Sequence, residues 1–271
     1  MRIAALATFV PIFGLGIAVV HGISSVFGEQ PDYTRGEGSA ATPGAFPFMV
    51  QLQRHYVVSF LCECGGALIQ PRWVLTAAHC NPWRSSELQV LAGTIRRDDR
   101  HGGQRRPVVH FWAHEMYTFG GQTGPYDIAL AEVDKPFTVD GRQSVALVPL
   151  ANPETVASPG DSVFVLGFGK IDAEDRLPDV LQVVEGRVVG RDNCSRALSV
   201  GTVCVGGPRT SACQGDSGGP VVAIRHGSPV AIGLISYGPW NCGVGPIVCT
   251  DVAAYGEWIE ATIDRSAPAE N

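Results

Sequence analysis

Short apolar runs separated by turn residues dominate the chain from Phe46 onward. Most runs are four to eight residues long, rich in Val, Ile and Leu, and bounded by Gly, Pro or Asp; examples are FPFMVQLQ, WVLTA, DIALAEV, SVFVLGFG and VAIGLIS. Runs of this length and composition indicate β-strands. Helical periodicity is convincing only near the end, at Ala253–Ile263. The pattern predicts an all-β fold with a C-terminal helix, either a sandwich or barrels.

Length and composition limit the class of protein further. A chain of 271 residues with 17% charged residues and 33 glycines has room for one large domain or two small ones. The low charge and the abundant glycine argue against a coiled coil and against a charged disordered chain. The net charge of −6 argues against a general polyanion-binding surface, so we expect no nucleic-acid partner.

The N-terminus carries an uncharged apolar run, Ile3–Val20, directly after Arg2. A basic start followed by an apolar run is typical of an export signal. The run is long enough to span a bilayer, which makes a retained anchor the alternative, but Pro11 and two glycines weaken it as an anchor helix. We predict a signal peptide at 1–28, a short pro-segment or linker at 29–35, and a secreted protein without stable membrane association.

A serine between glycines is the first chemical motif, in Gly215–Pro220 (GDSGGP). Flanking glycines let backbone N–H groups turn toward one point, as an oxyanion-binding site requires. The letters also satisfy G-x-S-x-G, the nucleophile motif of α/β-hydrolases. Those enzymes place an acid and then a histidine after the serine, whereas here only His226 follows, nine residues later. Chain order therefore excludes the α/β-hydrolase interpretation.

Two motifs precede this serine, Thr76–Cys80 (TAAHC) and Tyr126–Leu130 (YDIAL). The order His79, Asp127, Ser217 resembles that of chymotrypsin/trypsin-type serine proteases. The resemblance runs from about Gly36 to Ile263 and includes CGGALI, WVL, SYG and the final Trp-Ile pair. It implies two packed antiparallel six-stranded β-barrels, at 36–145 and 146–252, followed by a helix at 253–264 and a tail at 265–271.

The resemblance also implies a role for each residue of the motifs. Ser217 would attack the substrate carbonyl, His79 would accept its proton, and Asp127 would orient and stabilise the imidazolium. The N–H groups of Gly215 and Ser217 would bind the oxyanion. Ser236 would hydrogen-bond toward Asp127, and the segment containing Ser236, Tyr237 and Gly238 would pair with the substrate as an antiparallel strand.

Substrate preference follows from three positions of the family pattern. Ser211 stands at the base of the primary specificity pocket, where an aspartate would be needed to pair a substrate Arg or Lys. Ile247 stands where deep-pocket members carry glycine, so its branched side chain should shorten the pocket, whereas Gly238 keeps the entrance open. The combination predicts an elastase-like preference for small or medium aliphatic side chains.

The activation region departs from the family pattern. Members usually carry Ile-Val-Gly-Gly, whose freed amino group pairs with the aspartate before the serine; here the segment reads Arg35–Gly38 (RGEG). Asp216 is present, so either another group neutralises it, or the pocket and the oxyanion site are poorly formed. The leading hypothesis is a secreted serine endopeptidase. The alternative is a catalytically weak binding or regulatory protein built on the protease fold.

Other features add little chemistry. His110 and His114 have the i, i+4 spacing of metal ligands on a helix, but no third ligand is near and the stretch is typical of strand and loop. We expect no metal or other cofactor. Asn193 begins a formal glycosylation sequon. The expected partners are protein or peptide substrates and protein protease inhibitors, with the protein itself a monomer.

The chain carries eight cysteines. The family resemblance implies three disulfides, Cys64–Cys80, Cys194–Cys204 and Cys213–Cys242. Cys62 and Cys249 remain, and the family geometry does not obviously bring them together. We expect two buried thiols, with a fourth bridge as the alternative.

Overall fold

The computed structural model describes residues 38–57, 59–80, 85–118, 124–140, 144–171, 175–194, 198–207, 212–239 and 245–266. Thirteen strands and one α-helix are found in these ranges. The strands are β1 Ser39–Ala40, β2 Met49–Tyr56, β3 Ser59–Gln70, β4 Trp73–Thr76, β5 Leu88–Ala92, β6 Gln104–Ala113, β7 Ala129–Val133, β8 Ser162–Gly167, β9 Gln182–Val189, β10 Thr202–Gly206, β11 Pro220–Arg225, β12 Ser228–Tyr237 and β13 Ile247–Asp251; the helix is α1 Gly256–Ser266. Short 3-10 turns lie at Ala78–Cys80, Ser85–Glu87, Arg191–Asn193 and Val252–Tyr255.

The first barrel is a closed six-stranded sheet in the order β2-β3-β4-β7-β6-β5. All of its pairings are antiparallel. Its interior is filled by small and branched side chains, among them Val50, Leu68, Val74 and Val90. Burying these apolar side chains stabilises the barrel, and closure leaves no unpaired sheet edge.

The second barrel has the order β9-β10-β13-β12-β11-β8 and is closed by the pairing of β8 with β9. The prediction of two antiparallel six-stranded barrels is therefore confirmed. β1 adds a seventh strand, because Ser39 and Ala40 pair with Val183 and Gln182 of β9. The predicted N-terminal unit, 36–145, thus includes a segment that belongs to the second sheet.

The C-terminal helix differs from the predicted span 253–264. The side chain of Asp251 accepts a hydrogen bond from the N–H of Ala253, which caps a 3-10 turn and delays the start of α1 until Gly256. The helix then continues to Ser266, two residues into the predicted tail. Ile259 is buried on the face that packs against Leu75, Leu130 and Leu234. No helix in the described residues is long and apolar enough to cross a membrane.

A shared apolar layer joins the two barrels. Phe48 and Ala67 of the first half belong to the same buried cluster as Leu166, Phe168 and Val222 of the second half. Burial of these side chains in one cluster holds the two barrels together.

The cysteines agree with the expectation where they are described. Cys64–Cys80 and Cys194–Cys204 are disulfides, with Cα–Cα distances of 6.2 and 6.1 Å. Cys213 is also disulfide-bonded, and its expected partner Cys242 lies outside the described residues. Cys62 and Cys249 are free and buried. Burial raises the pKa of both thiols, to about 12 for Cys62, so both stay protonated.

Candidate active site

Strand pairing in the first barrel brings His79 and Asp127 together. His79 lies in the 3-10 turn after β4, and Asp127 lies two residues before β7. β4 and β7 pair with Thr76 opposite Ala129, so the two side chains meet at one end of the barrel. The carboxylate accepts two hydrogen bonds from His79, from Nδ1 at 2.8 Å and from the backbone N–H at 2.9 Å. Because a carboxylate only accepts, Nδ1 carries the proton and Nε2 is left free to accept one.

Asp127 is fully buried and held by the second barrel as well. The Ser236 hydroxyl donates to its Oδ2, and the Thr250 hydroxyl donates to its backbone carbonyl at 2.7 Å. Burial alone would raise the pKa of this carboxyl, but the hydrogen bonds and the charge interaction with His79, together with the Ser236 bond, outweigh burial and lower the pKa below its ordinary range. Asp127 is therefore an anion at neutral pH and can stabilise an imidazolium. Sequence reasoning missed Thr250, which belongs to no motif.

Backbone contacts hold the Ser217 loop against β3 and against the end of β4, shortly before His79. Gly65 of β3 donates to the Ser217 carbonyl at 2.8 Å. Gly218 has φ +72°, and a Cβ there would overlap the Thr76 hydroxyl and lie 2.8 Å from the Gly65 carbonyl oxygen. Only glycine combines this backbone angle with so close an approach. Thr76, another residue that sequence reasoning missed, donates to the Gly65 carbonyl at 2.8 Å and completes the contact.

Two N–H groups in the Ser217 loop have no acceptor among the described residues. The N–H groups of Asp216 and Gly218 bond to Cys213 and Ile235, whereas those of Gly215 and Ser217 make no such bond. Gly215 has φ +99° and lies close to Gly169, so a side chain is excluded there too. This leaves two free donors beside the serine, as an oxyanion site needs. The Ser217 hydroxyl makes no hydrogen bond to His79 in the described part of the chain, an arrangement common before substrate binds.

The Asp216 carboxylate is held by backbone N–H groups of two neighbouring segments. It accepts hydrogen bonds from the N–H of Gly169 at 2.7 Å and of Cys213 at 2.8 Å. Burial raises its pKa to about 6, although these two bonds act in the opposite direction. Gly167 and Gly169 lie so close that a Cβ on either would overlap the carboxyl group. Among the described residues, no cationic group forms a salt bridge with Asp216. Residues 35–37, in the segment that differs from the family's activation sequence, lie outside the described residues.

Ile247 begins β13 and is fully buried. Its Cγ2 would lie 3.0 Å from a Cβ placed on Gly238, so the side chain lies directly against the glycine predicted to form the pocket entrance. Tyr237 ends β12 and is partly buried. Ser211, the predicted pocket base, lies outside the described residues.

The two histidines spaced i, i+4 have separate partners. His110 Nδ1 lies 3.0 Å from a Glu132 carboxylate oxygen, whereas the His114 ring stacks on Trp258 with centroids 5.1 Å apart. Within the described ranges, one group of potential metal ligands is found, Cys64, His79 and Cys80. Its two sulfurs are joined in a disulfide, so the group is a poor metal site.

A double antiparallel barrel with a histidine, a buried aspartate and a glycine-flanked serine at its junction has the chymotrypsin-like fold. Sequence comparison agrees, since the profile of the family described as Trypsin matches residues 35–259. Relatives include Lectizyme of Glossina austeni, 32% identical over 96% of this chain and 98% of the relative. Fibrinolytic enzyme, isozyme C, of Lumbricus rubellus is 31% identical over 82% of this chain and 97% of the relative. Granzyme B of Rattus norvegicus is 32% identical over 89% of this chain and 96% of the relative. The chain belongs to the trypsin family of serine endopeptidases.

Proposed function

We propose that the chain hydrolyses peptide bonds through an acyl-enzyme formed on Ser217, with His79 as general base and Asp127 as its orienting partner. The observation that supports this most strongly is the buried Asp127, bonded twice to His79, beside a barrel edge against which the Ser217 loop and its two free N–H donors pack. A base, a fixed tautomer and an oxyanion site are the three elements that this reaction needs.

The steps follow from this arrangement. His79 Nε2 takes the Ser217 proton as Oγ attacks the carbonyl carbon, and the anionic Asp127 stabilises the imidazolium that forms. The Gly215 and Ser217 N–H groups bind the oxyanion, each lowering the barrier by roughly 3 kcal/mol. His79 then returns the proton to the leaving amine. Water repeats the sequence on the ester and frees Ser217.

The substrate class we propose is peptides with a small or medium aliphatic residue before the cleaved bond. Support comes from Ile247, whose branched side chain lies against Gly238 and limits pocket depth. Ser211 adds no negative charge that would pair a substrate Arg or Lys. A hydrophobic pocket distinguishes side chains by size at about 1–3 kcal/mol, so the preference should be clear but not absolute.

A panel of chromogenic peptides ending in Ala, Val, Phe or Arg tests the proposal. Among these peptides, we expect the highest kcat/KM for those ending in Ala and Val. With ester substrates, assayed separately, we expect a burst of product followed by steady turnover. Ile247→Gly should raise kcat/KM for Phe relative to Ala by about tenfold. Ile224→Gly, the same change on β11, should leave the preference unaltered. A wild-type enzyme that prefers Arg or Phe contradicts the proposed preference.

We also propose secretion, with the chain acting as a monomer on protein or peptide substrates and open to protein protease inhibitors. Support for export is the apolar run after Arg2 together with the disulfides, which persist in oxidising compartments. The N-terminal sequence of protein recovered from the medium tests this. A terminus within 29–36 agrees with the proposal, and a membrane-bound chain that retains residues 1–28 contradicts it.

The second candidate is a protease-fold binding or regulatory protein with weak activity. Two observations favour it, the Arg35–Gly38 segment and the lack of a salt-bridged cation at Asp216 among the described residues. Covalent labelling of Ser217 distinguishes the two candidates.

A further inference from the structure

Tyr126, the residue before Asp127, has a backbone conformation that aromatic residues rarely adopt. Its φ is +66°, in the left-handed region where a Cβ collides with the backbone. The Tyr126 carbonyl accepts a hydrogen bond from the N–H of Ile128 at 2.8 Å, which closes a tight turn around Asp127. The direction of the Asp127 carboxylate therefore depends on how firmly Tyr126 is held.

The hydroxyl of Tyr255 supplies that hold. It accepts the Tyr126 N–H at 3.0 Å, across 129 positions of sequence. Burial raises the pKa of Tyr255 above its ordinary value, so the hydroxyl stays neutral at neutral and mildly alkaline pH. Tyr255 is itself 6% exposed and packs so close to Gly201 that a Cβ there would lie 2.5 Å from the hydroxyl oxygen.

A cluster of aromatic rings also contacts this turn. The His114 ring lies 4.8 Å from the Tyr126 ring and 5.1 Å from the Trp258 ring, and the His114 N–H donates to the Ile128 carbonyl at 3.0 Å. Glu115 accepts hydrogen bonds from Trp258 and Arg265 and so ties the cluster to α1. The cluster reaches from the C-terminal helix to the residue beside Asp127.

We propose that Tyr255 is a positioning residue for the peptidase reaction: its hydroxyl holds Tyr126 in the left-handed conformation, which aims the Asp127 carboxylate at His79. The inference rests on the proposed function, since it assigns Asp127 its role there. Tyr255 touches no reacting atom and acts through Tyr126. Strained backbone at a functional site persists only where its surroundings enforce it, and here one hydrogen bond and two ring contacts do so.

Tyr255→Phe removes the acceptor and little else. We expect kcat per titrated active site to fall about ten- to a hundredfold with KM unchanged, because a small misplacement of a catalytic group has an effect of this size. The downfield proton NMR signal of the His79–Asp127 hydrogen bond, assigned by its loss in Asp127→Asn, should move upfield. Tyr56→Phe is the matched control, since it removes a hydroxyl bonded to Glu63 on an exposed hairpin and should change neither measurement.

A double variant tests the conformational step. Glycine adopts a positive φ without steric cost, so Tyr126→Gly combined with Tyr255→Phe should recover most of the lost kcat while remaining less stable. An unchanged kcat and an unchanged NMR signal in Tyr255→Phe, with only a lower melting temperature, would overturn the proposal, as would failure of the double variant to recover. If the wild-type chain proves inactive, the proposed function fails, and the NMR signal still decides whether Tyr255 positions Asp127.

Discussion

The two barrels hold their halves of the site by different means. The first barrel presents side chains, and His79 and Asp127 are fixed by two direct hydrogen bonds at the ends of paired strands. The second barrel presents Ser217 on a loop whose shape depends on the backbone, with glycines at positive φ and free N–H groups. In the first barrel, a substitution at His79 or Asp127 should fail because it removes a chemical group. In the second barrel, a substitution at the loop glycines should fail because a side chain has no space or cannot adopt the backbone angle.

The largest expected loss of kcat comes from removing the reactive side chain of either barrel. Ser217→Ala and His79→Ala should each lower kcat about a millionfold, because the proposed mechanism places both groups in the same proton transfer. For the same reason the double variant should be no slower than either single variant. Single-turnover and steady-state assays on purified protein measure this. Multiplicative losses would mean that Ser217 and His79 do not act as one unit.

Asp127→Asn should have the next largest effect. The amide keeps the shape but donates where the carboxylate accepts, so His79 loses the tautomer that leaves Nε2 free. We expect kcat to fall about ten-thousandfold with little change in KM. Asp134→Asn, at an exposed aspartate just after β7, serves as the control. A loss below tenfold would show that the first barrel does not depend on this side chain.

The backbone half can be tested with two glycines of similar φ. Gly218 (φ +72°) faces Thr76 and the Gly65 carbonyl, whereas Gly227 (φ +79°) has nothing within 4 Å of its would-be Cβ. Gly218→Ala should lower kcat/KM by about two to three orders of magnitude, because the loop must shift and move the proposed Ser217 oxyanion donor out of place. Gly227→Ala should lower stability by about 1 kcal/mol and leave kcat/KM unchanged. Equal effects of the two substitutions would mean that backbone strain, and not close packing of the barrels, controls the loop.

The smallest expected effect concerns Asp216 and pH. Its folded-state pKa, about 6, lies above the ordinary value of 3.8, so the folded chain binds this proton more tightly than the unfolded chain. The stabilisation is complete below pH 4 and is lost as pH rises through 6. Asp216→Asn, which does not titrate, should therefore gain roughly 2–3 kcal/mol relative to wild type between pH 4 and pH 7.

Urea unfolding of both proteins at pH 4, 5, 6 and 7 measures that difference. The side-chain amide of the Asp216→Asn variant also loses one of the two hydrogen bonds from backbone N–H groups. That loss lowers the free energy of unfolding of the variant by the same amount at every pH, so it does not change the pH dependence of the difference. A difference that shrinks as pH rises would mean that a cation pairs with Asp216 in the folded chain. In that case the second barrel would depend on a charge as the first one does.

Much of the fold and the central motifs could be predicted because they are local in sequence. Short apolar runs identify strands wherever they occur, and the order of the three motifs identifies the family. The pairing of β1 with the second sheet could not be predicted, since Ser39 and Ala40 carry no apolar alternation. The start of α1 was missed because one Asp251 hydrogen bond shifts it.

The contacts that support the site could not be predicted from the sequence either. Thr250 and Tyr255 lie 123 and 129 positions from the residues they bond, and an isolated threonine or tyrosine gives no signal of such a partner. Thr76 lay inside a quoted motif, but its partner, the Gly65 carbonyl, depends on how β3 and β4 meet. These contacts arise only when the barrels have packed.

Covalent labelling tests most directly the claim that the two halves form one working site. The mature protein is treated at neutral pH with an organophosphorus or sulfonyl fluoride reagent, and the labelled residue is found by mass spectrometry. We predict one label per chain on Ser217 and none in His79→Ala. A folded wild-type chain that takes no label across neutral pH would contradict the account and favour the binding protein.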